Sequence, residues 1–221
     1  MTQSSGESVA VPPPLSPGRL IVVNGTSSAG KSTFCRALQT RLEEPYLLLG
    51  YDLLWMTMPP RYFPFQPQEK EGAWYETADG AAPPVTGLGL GPVGRQVVSG
   101  LHHAVAGLLT SGNHVLVDVL FLERSWVEEA ARLWQPFQPL LITLKPPLEV
   151  CEAWEAEREA TRAGRPQGLA RWAYDRVYAH GEGDLMIDPS RGSPEEGAGD
   201  VLEWLRQDRP RQGLQVKPLP V

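Results

Sequence analysis

Apolar residues in this chain gather into short runs and into spaced stripes, and the two patterns alternate from residue 20 to residue 206. The runs at Leu20–Asn24, 46–49, His114–Val119, Leu140–Leu144 and Leu185–Ile187 are short and predict strands. His114–Val119 is apolar on both sides of the pleat and predicts a strand covered on both faces. Apolar residues three and four apart predict helices over 31–43 (Phe34, Cys35, Leu38, Leu42) and 93–109 (Val97, Leu101, Val105, Leu108). Pro45 stops the first of these, and Ser111-Gly112-Asn113 stops the second. Further helices are expected over 123–134, 148–163, 168–180 and 194–206, with a helical turn at 52–56. Residues 58–92 are crowded with proline and glycine and carry almost no periodicity, which predicts a long irregular excursion. Strands alternating with helices of these lengths predict an α/β fold, a parallel sheet with helices on both faces.

Composition narrows the class. With 221 residues and 42% apolar content the chain can bury one good core. Its net charge of −6 gives no basic footprint for nucleic acid, and no apolar run is long enough to span a membrane. Residues 1–18 are rich in Ser, Gly and Pro and lack the basic start and apolar core of a signal peptide, so they are expected to be a disordered arm. Residues 207–221 are expected to be a flexible tail. Two cysteines, Cys35 and Cys151, are too few for a disulfide framework and read as small buried hydrophobes, which suits a reducing cytoplasm.

The chemistry starts directly behind the first strand, where Gly25 to Ser32 read G-T-S-S-A-G-K-S. This is a P-loop in the context it needs: a buried strand ends, the backbone wraps an anion, and a helix starts. The segment Gly25, Thr26, Ser27, Ser28, Ala29, Gly30, Lys31, Ser32 and Thr33 is therefore expected to bind ATP. Lys31 can reach the β- and γ-phosphates, and the Ser32 hydroxyl can ligate Mg²⁺. Asp118, inside the strand H-V-L-V-D-V, fits a second ligand to that ion or to its water; an aspartate there can also cap the next helix. Asp52 in G-Y-D-L-L-W follows the second strand, so it projects from the same carboxyl edge and can accept a proton from a substrate hydroxyl. A plain helix N-cap is the alternative for Asp52. Arg158, Arg162 and Arg165 form an array that can close over phosphates, or form solvated ion pairs with the interleaved Glu155, Glu157 and Glu159. His102, His103, His114 and His180 show no ligand spacing, which leaves Mg²⁺ as the one metal implied. Large apolar side chains between Trp55 and Tyr75 read equally as satellite core or as the wall of a pocket for an aromatic molecule beside Asp52.

These residues resemble the chloramphenicol phosphotransferase-like family of P-loop kinases. The matching stretches are I-V-V-N-G-T-S-S-A-G-K-S, G-Y-D-L-L-W-M-T-M-P, V-L-V-D-V-L-F-L, R-E-A-T-R-A-G-R-P-Q-G-L-A-R and H-G-E-G-D-L-M-I-D-P-S, in order over roughly residues 20–205. The resemblance implies a nucleotide-kinase-like P-loop NTPase domain over 19–206, a three-layer α/β/α fold with a five-stranded parallel sheet. It implies a phosphotransferase using ATP and Mg²⁺ on a hydroxyl of a small molecule, chloramphenicol in the family's named member, whose product is an inactive antibiotic. It implies Asp52 as general base, a lid over 158–170, an acceptor-side insertion over 58–92, and an adenine neighbourhood around Asp188-Pro189-Ser190. The chain departs from the family pattern where Asp118-Val119 holds a single carboxylate and where Lys145-Pro146 follows the fourth strand. Another small-molecule kinase, with a sugar, nucleotide or shikimate-like acceptor, and a nucleotide-binding switch are the rival readings. Residues 50–92 contain only Arg61 and Lys70 as cations, which favours a neutral acceptor over an anionic one.

Overall fold

The computed structural model describes residues 16–77, 84–161, 167–207 and 209–215. Five strands, β1 (Leu20–Asn24), β2 (Tyr46–Gly50), β5 (His114–Val119), β6 (Leu140–Leu144) and β7 (Leu185–Ile187), form a parallel sheet in the order β2-β5-β1-β6-β7. The order comes from the pairings Val23↔Asp118, Gly50↔Asp118, Asn24↔Thr143 and Leu144↔Ile187.

Alternate residues of each strand feed two cores, because successive side chains on a strand point to opposite faces. Leu20, Val22, Val115, Val117, Val119 and Leu141 pack under α3 (Pro92–Thr110) and α4 (Arg124–Trp134). Ile21, Val23, Leu116, Leu140, Ile142 and Leu144 pack under α1 (Lys31–Arg41) and α7 (Pro194–Arg206). The sheet is thus sandwiched between helical layers, as the alternating pattern predicts. Two more helices, α5 (Leu148–Thr161) and α6 (Leu169–Tyr178), flank residues 162–166, and the five-residue α2 (Tyr51–Trp55) continues β2.

Three expectations need correction. First, 58–92 is not irregular throughout: β3 (Ala73–Thr77) and β4 (Val85–Leu90) pair as an antiparallel hairpin. The glycines that hide β4 from a propensity reading are what admit its partner, since a Cβ on Gly89 would meet the Trp74 ring at 2.1 Å. Second, the buried stripe of α3 is Val98, Leu101, His102, Val105 and Leu109, while Val97 and Leu108 are only half-buried. A histidine in the stripe displaces the apolar pattern, and its ring is accommodated because Glu129 Oε2 lies 2.6 Å from Nδ1 and Tyr51 Oη lies 2.7 Å from Nε2. Third, residues 209–215 are not a loose tail. Asp184 accepts from the backbone N–H of Gln212, Gly213 and Leu141, and Leu214 packs against the α3–α4 core. At the other terminus Gly18 N–H donates to Leu109 O at 2.8 Å, so the described part of the expected arm is already tied down.

Burial holds His102 and His180 below the ordinary histidine range. The unfolded chain binds protons near the ordinary histidine value of about 6.5 that the folded chain resists, so this stability is complete above that pH and is lost as the pH falls through it. The melting temperature should therefore decline on titration from about pH 7.5 to about pH 5.5, and His102→Gln should flatten part of that decline; an unchanged slope in the variant would count against the assignment.

Candidate active site

β1 is central and buried on both faces, so the chain can leave it only at the carboxyl edge, and there it enters Gly25–Thr33. Thr26, Ser27, Ser28 and Ala29 are buried, and their backbone is propped from behind by α6. The Tyr178 hydroxyl donates to Leu144 O at 2.6 Å and accepts from Thr26 N–H at 3.3 Å, while Thr26 Oγ1 donates to Ala170 O at 3.2 Å. Burial pushes the Tyr178 phenol well above its usual range, which keeps it a donor. Ser28 is held at φ 60°, a left-handed conformation unusual for a residue with a Cβ.

Lys31, Ser32 and Asp118 meet at the mouth of the loop. Ser32 Oγ donates to Asp118 Oδ2 at 3.0 Å, Lys31 Nζ lies 3.9 Å from Asp118 Oδ1, and Lys31 also donates to Thr26 O at 2.8 Å. A hydroxyl and a carboxylate side by side are hard oxygen donors of the kind Mg²⁺ takes together with phosphate oxygens and water. No cluster of three or more His, Cys, Asp and Glu suited to a metal exists among the described residues.

β5 lies between β1 and β2, which brings Asp52 to the same edge, displaced by two strand spacings or roughly 10 Å. The approach is close because Gly50 has no side chain: a Cβ there would meet Asp118 O at 3.0 Å and Asp118 Cβ at 3.3 Å. Asp52 is exposed in the first turn of α2, and exposed Leu53 and Met56 flank it. The stretch between Trp55 and Tyr75 is unevenly buried. Met58 and Ala73 are buried, whereas Phe65 is 73% exposed with its ring 6.1 Å from that of Tyr75. Both cations of this region are engaged, Lys70 over the Trp74 ring at 4.4 Å and Arg61 over the Tyr62 ring at 4.8 Å.

On the opposite flank Arg158 donates to Ser28 Oγ at 2.6 Å, which brings one of the three candidate arginines onto the P-loop. Arg162 and Arg165 lie outside the described residues. Glu155 is not the solvated ion-pair partner its sequence context suggests. It is 7% exposed and its two oxygens accept from Gly168 N–H and Ala170 N–H, both at 2.9 Å, capping the start of α6. Its signal in the sequence is its spacing of four from buried Cys151 on one helix face. Asp188 sits just past β7 at the same edge and accepts from Ser190 Oγ at 2.6 Å. Cys35 and Cys151 are buried free thiols, and burial pushes the Cys151 thiol up to about 12, so both stay protonated. A cavity of about 470 Å³ lined by Arg19, Phe137 and Arg211 lies at the far edge of the sheet, away from these groups.

The sequence profile described as chloramphenicol phosphotransferase-like protein matches residues 18–206. A Mycobacterium tuberculosis protein provisionally named an O-phosphotransferase is 28% identical over 193 residues, covering 84% of this chain and 81% of its own. Among solved structures, the Mycobacterium tuberculosis APS kinase superposes with TM-score 0.55 at 18% identity, over 86% of this chain and 99% of that one. Shikimate kinase from Acinetobacter baumannii gives TM-score 0.55 at 15% identity, over 88% and 96%. The Deinococcus radiodurans tunicamycin resistance protein gives TM-score 0.55 at 15% identity, over 91% and 99%. At these identities the structures speak for the fold, that of P-loop kinases.

Glu155→Ala removes the acceptor of two buried backbone donors and should destabilise the protein by about 1–3 kcal/mol. Urea unfolding measures this directly, and Glu155→Gln, which keeps one acceptor oxygen, should recover part of the loss.

Proposed function

The chain belongs to the chloramphenicol phosphotransferase-like family, and from that membership we propose that it moves the γ-phosphate of ATP to a hydroxyl of a small, neutral, largely apolar molecule, with Asp52 as general base. It is an ATP-dependent small-molecule kinase; the proposal adds the acceptor class and the roles of residues. The observation that carries it is the meeting of three groups at one sheet edge: the P-loop, the Ser32–Asp118 pair at 3.0 Å, and Asp52 beyond Gly50.

In this reading the backbone of Gly25–Thr33 cradles the phosphates and Lys31 bridges the β- and γ-phosphates. Ser32 and Asp118 would hold Mg²⁺, which would neutralise charge on the phosphate oxygens. Asp52 accepts the proton of the acceptor hydroxyl as that oxygen bonds to the γ-phosphorus and the bond to the ADP oxygen breaks. Arg158 stabilises the transferring group from the far side, with Arg162 and Arg165 as further candidates in the same lid. Exposed Leu53, Met56 and Phe65 supply apolar surface to the acceptor, and the engagement of Lys70 and Arg61 with aromatic rings leaves an anionic acceptor no evident clamp in 50–77. Chloramphenicol, neutral and aromatic, fits this class, and its phosphorylation would inactivate an antibiotic. Two buried free thiols suit a reducing, ATP-supplied cytoplasm.

The test is incubation of purified protein with ATP, Mg²⁺ and chloramphenicol, with the product followed by mass. A phosphorylated product is expected, and Asp52→Asn should lower kcat at least about 100-fold while ATP affinity stays within about twofold. Asp118→Ala should weaken Mg²⁺-dependent ATP binding. Equal turnover by Asp52→Asn, or a demand for an anionic acceptor, would overturn the assignment.

A further inference from the structure

The base proposed above sits on a poor support. α2 has five residues, no side-chain N-cap bond and no buried residue. A helix of this length does not hold itself, since one turn costs more backbone entropy than its hydrogen bonds return. The backbone that carries Asp52 is placed by whatever holds the first turn.

Tyr51, the residue immediately before Asp52, turns inward while Asp52 faces solvent. Its ring meets Trp126 of α4 edge-on at 5.7 Å and His102 of α3 edge-on at 5.9 Å. Its hydroxyl lies 2.7 Å from His102 Nε2. His102 is fully buried, and its Nδ1 lies 2.6 Å from Glu129 Oε2 of α4. The second Glu129 oxygen accepts from Ser99 Oγ at 2.8 Å. The Trp134 indole donates to the His102 carbonyl at 2.9 Å and stands edge-on to its ring at 5.3 Å, so the imidazole cannot rotate freely.

The direction of each bond follows from chemistry. Burial works against the Glu129 carboxylate, but the bonds from Ser99 and His102 prevail and hold it below its usual range; burial holds His102 below the histidine range. An ionised carboxylate only accepts, so Nδ1 carries the proton. A neutral imidazole protonated at Nδ1 has a lone pair at Nε2, so the Tyr51 hydroxyl donates. Apolar contact alone would hold α2 without direction; a chain of two short bonds anchored in two long helices holds it in one place.

We infer that Tyr51, His102 and Glu129 are positioning residues that fix α2, and through the adjoining backbone the Asp52 carboxylate, against the P-loop edge. This rests on the reading of Asp52 as base. Misplacing a catalytic group by about 1 Å can cost up to about 100-fold in rate. Losing the bond while the ring packing stays should cost part of that.

Tyr51→Phe keeps the ring and removes only the bond. Transfer from ATP is measured with chloramphenicol as acceptor and, in parallel, with water alone, which takes the hydroxyl's place. kcat should fall about tenfold in Tyr51→Phe, with ATP affinity and binding stoichiometry within about twofold of the parent. His102→Leu should cause a similar loss, and the two changes together should cost little more than either, because they cut one chain. In an Asp52→Asn background Tyr51→Phe should cost nothing further. Amide exchange of residues 51–56 should quicken in Tyr51→Phe while that of 26–38 is unchanged. A kcat within twofold of the parent, a matched loss of ATP affinity, or a further loss in the Asp52→Asn background would each overturn the inference. Full activity of Asp52→Asn alone would instead remove the base, and the inference with it.

Discussion

The double burial of β1 is the constraint on which the rest depends. Residues 20–24 have strand neighbours on both edges and helices on both faces, so none of their polar backbone reaches water. The chain leaves the sheet at the carboxyl edge, and it does so through the buried loop 26–29, which is bonded to α6 behind it. A phosphate-binding loop is therefore the end of the most buried strand, and its rigidity is borrowed from the core. The backing bonds of Tyr178 and Thr26 extend that rigidity into α6, more than 140 residues away in sequence.

From that edge the site divides into two supports of opposite character. On the nucleotide side a buried carboxylate, Glu155, ties α5 to α6 and places Arg158 on Ser28. Beyond Gly50 a short exposed helix carries Asp52 and is held by Tyr51 through a buried histidine. The hairpin β3–β4 joins the two sides, since Val85 N–H donates to Gln167 O at 2.7 Å beside the start of α6. The hairpin and the start of α6 are thus mechanically linked.

Much of this is legible in the residues themselves, for a physical reason. The P-loop, the strand-end position of Asp118 and the location of Asp52 follow from short-range grammar: an apolar run, a glycine-rich turn, a helix-forming stretch. Propensity fails where a residue's value comes from a distant partner. β4 reads as a loop because its glycines are poor strand formers, yet Gly89 is needed to receive Trp74 and Gly87 to receive Glu76. The α3 stripe reads one residue out because His102 counts as polar until Glu129 and Tyr51 are placed against it. Glu155 reads as a surface charge because its two backbone donors lie 13 and 15 residues ahead.

The sequence alone determined the class of chemistry, since a phosphate cradle is a local object built from consecutive backbone groups and a few side chains. Only the tertiary structure decided which polar side chains meet the P-loop and which brace the fold: Arg158 beside Ser28, Glu155 inside the fold, Lys70 and Arg61 on aromatic rings, Tyr51 leaning on His102. Those assignments depend on distances across 1 to 130 residues of chain, and Coulomb and hydrogen-bond energies depend on separation in space and on burial, neither of which is written in residue order.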